Sequence, residues 1–332
     1  MSSRSGIAAA GNWIIDRVKV IDVFPAQDAL ANILEESSGN GGAPYNVLKD
    51  LAKLELGIDL QGIGLVGNDS DGERILRDCE HFGIDTSLVA KTDKAPTSYT
   101  DVMTVESTGR RTFFHQRGAN ALLRAEHFDF ERIRASHLHL GYLLLLDGLD
   151  EVDEVYGTAA SRVLAIAKDQ GLTTSIDVVS EDSDRFRSTV LPALKHADVV
   201  FMNEFELSRT SGIEFGNDDQ NRLLQAGEAL KEQTEGRLVV HTPERVFAFS
   251  SDGKRKEHGS VRMPDDKIRG AVGAGDAFAA GYLTGFVRQD RVEDCLRAGV
   301  CVAASSLMAP DSSSGVMPLS QCLELADRYG YN

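Results

Sequence analysis

The sequence has 332 residues, 42% of them hydrophobic and 26% charged, which is enough apolar mass for one large core or two modest ones and too much for a disordered chain. Its 35 Lys and Arg against 51 Asp and Glu leave a formal net charge of -16, which disfavours nucleic acid and anionic membrane as partners but leaves local backbone N–H groups free to hold a phosphate. The four cysteines, Cys79, Cys295, Cys301 and Cys322, form no C-x-x-C pair, so zinc and dithiol chemistry are not expected, and no apolar run is long enough for a transmembrane span.

Met1-Ser2-Ser3-Arg4 and the small apolar run to Ala10 lack the layout of a signal peptide, because Asn12, Asp16, Arg17 and Lys19 follow at once. A cytoplasmic location is the expectation. Ile7 to Ala10 reads as a short buried strand ending at Gly11-Asn12. Val18, Val20, Asp22 and Phe24 alternate like a half-exposed strand. Gly39 to Pro44 reads as a tight, flexible loop, and a helix from Tyr45 to about Leu56 carries an apolar face. Strand Gln61 to Val66, a turn at Gly67-Asn68-Asp69 and helix Gly72 to His81 come next. Tyr99 to Glu106 and Arg110 to Gln116 read as a hairpin with one wet and one dry face. The pattern continues with strands over 137–140, 172–178, 198–202, 237–241 and 245–249. Helices are expected over 158–170, near 190–195 and over 223–234, with two consecutive ones over 277–288 and 292–308. This alternation argues an open, mostly parallel α/β sheet covered on both faces. The strands near 18–24 and 99–116 interrupt it and are expected to form a small separate sheet, or lid. No repeat and no long linker divides the chain.

The densest chemistry lies in Gly270-Ala271-Val272-Gly273-Ala274-Gly275-Asp276, immediately before an apolar helix. Closely spaced glycines keep backbone N–H groups accessible, and the N-terminus of the following helix attracts anions. Asp276 is placed to take a proton from an acceptor hydroxyl. The residues alone also permit a plainer reading, with Asp276 as a helix cap and Gly-Ala-Gly as tight packing. The run is neither a Walker A sequence nor a dinucleotide fingerprint.

Taken with Gly11-Asn12 and Asp16, Gly41 to Asn46, Arg117-Gly118-Ala119-Asn120 and Asn203-Glu204-Phe205-Glu206, this run resembles the PfkB, or ribokinase, family of carbohydrate kinases over nearly the whole chain. The resemblance implies a ribokinase-like three-layer α/β/α sandwich with a mostly parallel central sheet. It implies one kinase domain over 1–332, with a small β lid from about 17–38 and 97–117. It also implies ATP-dependent phosphorylation of a hydroxyl, primary by family precedent, on a small sugar. Gly273, Ala274 and Gly275 would form the anion hole and Asp276 the base. Asn12, Asp16, Gly41, Gly42, Asn46, Phe114, Arg117 and Asn120 would contact the acceptor, with Phe113 and His115 as further lid candidates. A nucleoside acceptor is the rival, with Trp13, Tyr45 and Phe114 as walls for a base. A catalytically weak sugar-binding relative is the other.

On the donor side the resemblance assigns ATP and Mg²⁺ to Asn203, Glu206 and His241 together with Gly273 and Gly275. Glu206 would meet the metal through water. Read without the family, Asn203 and Glu206 form a helix-capping pair. Two departures stand out. Gly270 and Ala271 replace the family's usual Asp-Thr, which puts a monovalent cation in doubt. Pro243 replaces a glycine-containing loop beside the nucleotide. The resemblance also implies pairing of two lids in a homodimer.

Overall fold

The computed structural model describes residues 4–216 and 219–332. Met1 to Ser3, where the leader was looked for, lie outside them. The strands are β1 (Ile7–Gly11), β2 (Ile14–Ile21), β3 (Ile33–Gly41), β4 (Leu60–Gly67), β5 (Asp85–Thr92), β6 (Ser98–Val105), β7 (Arg111–Gln116), β8 (His137–Leu143), the two-residue β9 (Val152–Asp153) and β10 (Gly157–Thr158), β11 (Thr173–Val178), β12 (Val199–Asn203), β13 (Arg237–His241), β14 (Arg245–Phe249) and β15 (Arg255–Gly259). The helices are α1 (Ala43–Lys53), α2 (Ser70–His81), the one-turn α3 (Asp147–Asp150), α4 (Ala159–Asp169), α5 (Phe186–Leu194), α6 (Glu204–Ser211), α7 (Gln220–Lys231), α8 (Ala274–Val287), α9 (Val292–Ser306) and α10 (Leu319–Tyr329).

Nine strands form the main sheet in the order β15-β14-β13-β12-β11-β8-β1-β4-β5. From β5 to β13 every pair is parallel, and β14 and β15 add an antiparallel edge. Alternate residues of β1 divide between two cores. Ile7 and Ala9 pack with α1, α8 and α9, whereas Ala8 and Ala10 pack with α4, α5 and α7. A strand buried on both faces is apolar along most of its length, which is why β1, and β4 from Gly62 onward, read as small and aliphatic runs. No described helix is long and apolar enough to cross a membrane. All four cysteines are buried free thiols.

The second sheet has the order β3-β2-β6-β7 and projects as a lid. Its register fixes two faces. Asp16, Thr100 and His115 lie side by side on one, and Arg17, Asp101 and Phe114 on the other. Its outer segments leave Leu30, Ile33, Leu34, Phe113 and Phe114 exposed.

The structure departs from the sequence expectations at a few elements. Gly39 to Pro44 is no flexible loop: Gly39 to Gly41 end β3, paired with β2, and α1 starts at Ala43. Gly42 makes that abrupt join with φ 86°, where a Cβ would fall 2.0 Å from the Asn12 carbonyl oxygen. Strands β5 and β15 and helix α10 add to the elements expected.

Candidate active site

Helix α8 opens at Gly273, whose φ of 72° lets the chain turn beneath Ser312; a Cβ there would meet Ser312 at 2.7 Å. The first-turn N–H groups of such a helix have no intrahelical partner and face incoming anions. No side chain caps the helix. Asp276, three residues in, directs its carboxylate elsewhere. Its Oδ2 accepts 2.8 Å from Asn46 Nδ2, and both oxygens lie 2.7 Å from the Tyr142 hydroxyl. The geometry therefore decides against the capping reading. Burial pushes Asp276 up to about 6, against the pull of the Tyr142 and Asn46 donors.

Asn46 is itself held: its Oδ1 accepts 2.7 Å from Asn40 Nδ2, which also reaches Ser313 Oγ at 2.9 Å. Asp16 comes in from the lid. Burial raises it to about 7, the hydrogen-bonding Thr100 hydroxyl opposes that rise, and the charge of Asp276 adds to it. Gly41 packs so close that a Cβ would sit 2.5 Å from the Asp16 carboxylate. Asp16, Gly41, Asn46 and Asp276 thus converge.

Other expected acceptor contacts do not face this space. Asn12 is fully buried and both ends of its amide are spent on backbone. It accepts from Tyr142 N–H and donates to the Leu145 carbonyl at 3.0 Å, so it positions Tyr142. Asn120, also fully buried, clamps Trp13 by bonds of 3.1 and 3.2 Å to its N–H and carbonyl. Phe114 points away because its register partner is Asp101, not Thr100. Trp13 and Tyr45, the proposed base walls, are core residues with their polar atoms bound to Ile63 and Asp78. Arg117 is tied into an ion-pair cluster with Asp147 and Glu181.

At the donor end, Asn203 and His241 finish adjacent strands in register, at the carboxyl edge where open α/β sheets hold ligands. Asn203 and Glu206 form a complete capping box, with reciprocal bonds of 2.9 Å. Glu206 is also bound by Ser180 Oγ at 2.7 Å, and burial raises it to about 7. The imidazole of His241 lies over Gly275, about where a Cβ would meet it at 3.4 Å, and burial holds it at about 4. Gly270 is hemmed in by Ala309 and Pro310, 3.0 Å from where its Cβ would be. The family's usual acidic side chain there would have to move that loop.

Three groups escaped the sequence reading: Tyr142, Asn40 and Asp177. Asp177 is buried at the end of β11, and burial, then the charges of Asp276 and Glu206, push it well above the carboxylate range. Tyr142 and Asp177 both stand at the carboxyl ends of parallel strands, which is the signal that could have found them. The charge of Asp276 raises both Asp177 and Glu206, and that of Glu206 raises Asp177, a concentration of negative charge that fits a hydrated cation. No described group of three or more His, Cys, Asp or Glu forms a direct metal cage, so Mg²⁺ with its own waters suits the donors better than a stripped ion.

A three-layer α/β domain with a β lid, a glycine-opened helix N-terminus and a buried carboxylate beside it defines a phosphotransferase that acts on an alcohol group. The chain belongs to the pfkB family of carbohydrate kinases, whose pattern spans residues 7–318. It is 30% identical over 305 residues to the ATP-dependent ribose-1-phosphate kinase of Halopiger xanaduensis, covering 90% of this chain and 91% of that one. It is 28% identical over 297 residues to Fructokinase-1 of Zea mays, covering 86% and 84%. The fold matches Arabidopsis thaliana ribokinase solved with ribose and ATP at a TM-score of 0.81, with 20% identity and coverage of 97% and 98%.

Proposed function

We propose that the protein transfers the γ-phosphoryl group of Mg²⁺–ATP to a primary hydroxyl of a small sugar, with Asp276 as the base. The observation that carries this reading is the Asp276 carboxylate. It stands beside the free N–H groups of α8, is turned away from capping and is raised to about 6. Such a group is ionised at neutral pH and still basic enough to accept a hydroxyl proton as the oxygen attacks phosphorus. Asp16 would accept hydrogen bonds from other sugar hydroxyls, while Asn46 fixes the base. The N–H groups of Ala274 and Gly275 would receive negative charge on the phosphoryl oxygens. Glu206 and Asp177 would hold Mg²⁺ through its waters, and the ion would supply neutralisation of the phosphate charge. His241 would lie against the phosphates.

The names of the two relatives, a ribose-1-phosphate kinase and a fructokinase, support a sugar acceptor. So does the burial of Trp13 and Tyr45, which removes the walls a nucleoside base would need. Asp276→Asn should keep the fold and lower kcat by about 10²- to 10⁴-fold, the usual worth of a positioned base. A coupled assay of ADP release over a sugar panel tests this. An Asn variant with full turnover would refute the base assignment.

A further inference from the structure

Asp50 is a buried acid that the reaction outlined above does not use. It lies on α1 one helical turn beyond Asn46, on the same face, and is fully buried. Its neighbours along that helix, Val47, Leu48 and Leu51, belong to the apolar core. Among the described residues, none hydrogen-bonds either of its carboxyl oxygens. Two cations lie nearby and both are engaged elsewhere. Lys49 is paired with Asp78 at 2.7 Å, and Lys53 donates to the carbonyls of Ser313 and Ser314 at 2.6 and 2.9 Å. An ionised carboxylate in such a place is costly, so the group rests as a neutral acid. Burial pushes its pKa well above the carboxylate range, the Ser313 hydroxyl opposes that rise, and the charge of Asp276 adds to it. Buried polar groups are nearly always partnered, so an acid kept on an apolar helix face calls for a reason beyond packing.

Its surroundings lead back to Asp276. Asn46 Nδ2 donates to Asp276 Oδ2 at 2.8 Å, and Asn46 Oδ1 accepts from Asn40 Nδ2 at 2.7 Å. The other N–H of that Asn40 amide goes to Ser313 Oγ at 2.9 Å. The orientation of an amide is set by what it binds, so Asn46 presents its N–H to Asp276 because Asn40 donates to its oxygen. Ser313 anchors the far end. Its N–H is held by Asp311 Oδ1 at 3.1 Å and its carbonyl by Lys53, which leaves only the hydroxyl torsion to be fixed. Ser313 Oγ already accepts from Asn40, so its own O–H must point elsewhere. Asp50 is the neighbouring acceptor that no other group uses.

We propose that Asp50 is a positioning residue for the base: its carboxyl receives the Ser313 O–H and, through Ser313, Asn40 and Asn46, fixes the amide that holds Asp276. The proposal rests on the base assignment above and adds a residue to it. No proton travels along this chain, since a neutral amide neither gains nor loses one at working pH. The effect is orientation alone, and orientation is a large part of what a positioned group contributes. It requires an acceptor oxygen in the place of Asp50, not a charge.

The test measures ADP release from Mg²⁺–ATP by the full chain, with ribose, fructose and ribose 1-phosphate as acceptors. Asp50→Ala and Ser313→Ala each break the chain of hydrogen bonds at one link. Each should lower kcat about ten-fold, the lower end of what a hydrogen bond to a charged group is worth, and leave the KM for ATP unchanged. The double variant should lose no more than either single one, because the same chain is already broken. Asp50→Asn keeps an acceptor oxygen and should recover most of kcat. Losses that multiply in the double variant overturn the proposal, as does an Asn variant as slow as the Ala one. Wild-type kcat in Ser313→Ala overturns it whether or not Asp50→Ala folds. Asp276→Asn is assayed beside them. Turnover lost there but kept in Ser313→Ala removes only the positioning role. Full turnover in Asp276→Asn, or transfer to no acceptor by the wild type, removes the base reading and this proposal together.

Discussion

Tyr142 shows how one side chain can set the working range of another. Its hydroxyl donates to Asp276 and, with Asn46, holds down a carboxyl that burial raises. Removing that donor leaves burial less opposed, so Tyr142→Phe should move the Asp276 pKa upward from about 6. A hydrogen bond to a charged group is worth about 1.5–3 kcal/mol, and part of it is recovered by water, so a shift of about one unit is expected. The acid limb of the kcat/KM profile should move to higher pH by that amount, while the alkaline plateau changes less. An unmoved acid limb would mean that the limb belongs to another group. None of this could be read from the sequence near residue 142. The partner lies 134 positions away, and neither spacing nor composition connects them. Asp276 itself was legible because its chemistry is local, being glycines followed by a helix. Asn12 and Asn120 were recognised as special, but their task differs from the one expected. Their amides bind backbone, and that becomes visible only once β1, β8 and the segment after β7 are side by side.

At the scale of elements, the α8 N-terminus separates the two glycines of its motif. Gly273 has a left-handed φ and Ser312 in the space of a Cβ, so Gly273→Ala should lower stability by about 1–3 kcal/mol, read as a fall in melting temperature. Gly275 has no such φ, and its Cβ would meet only the His241 ring at ordinary contact distance. Gly275→Ala should therefore melt close to the wild type yet lose ATP-dependent turnover, because the methyl group stands where phosphate would approach. Equal losses of stability in both variants would contradict this division. The parallel strands of the main sheet were legible because burial on both faces demands apolar runs. Strand β3 was not, since Ile33 to Ser38 are exposed and the sequence there alternates no apolar residues. Its pairing with β2 supplies the order that composition does not reveal. The Asn203–Glu206 pair was legible twice over, as a cap and as a ligand motif, and the cap is the part realised in the geometry.

At the scale of the whole molecule, the site concentrates acid in a chain already at a formal charge of -16. Burial, foremost, raises Asp16 and Glu206 to about 7 and Asp276 to about 6. In an unfolded chain such groups titrate near about 4. Between about pH 4 and 7 the folded protein therefore binds more protons than the unfolded one, and by linkage its stability falls as pH rises through that window. The exposed carboxyls with lowered values, such as Asp22 hydrogen-bonded by Asn32 and Glu73 paired with Lys91, act in the opposite sense, but only as pH drops below about 4. The two contributions thus occupy separate ranges. Denaturant unfolding of the ligand-free protein should give a lower free energy at pH 8 than at pH 5. Asp16→Asn removes one of the buried charges while keeping the shape. It should reduce that difference by about 2 kcal/mol, allowing for charge that its neighbours shed in response. Mg²⁺–ATP should narrow it further, because a cation beside Asp177, Glu206 and Asp276 lowers the cost of their ionisation. A pH 5 to 8 difference left unchanged by Asp16→Asn would show that the buried carboxyls exchange their protons with one another rather than with folding.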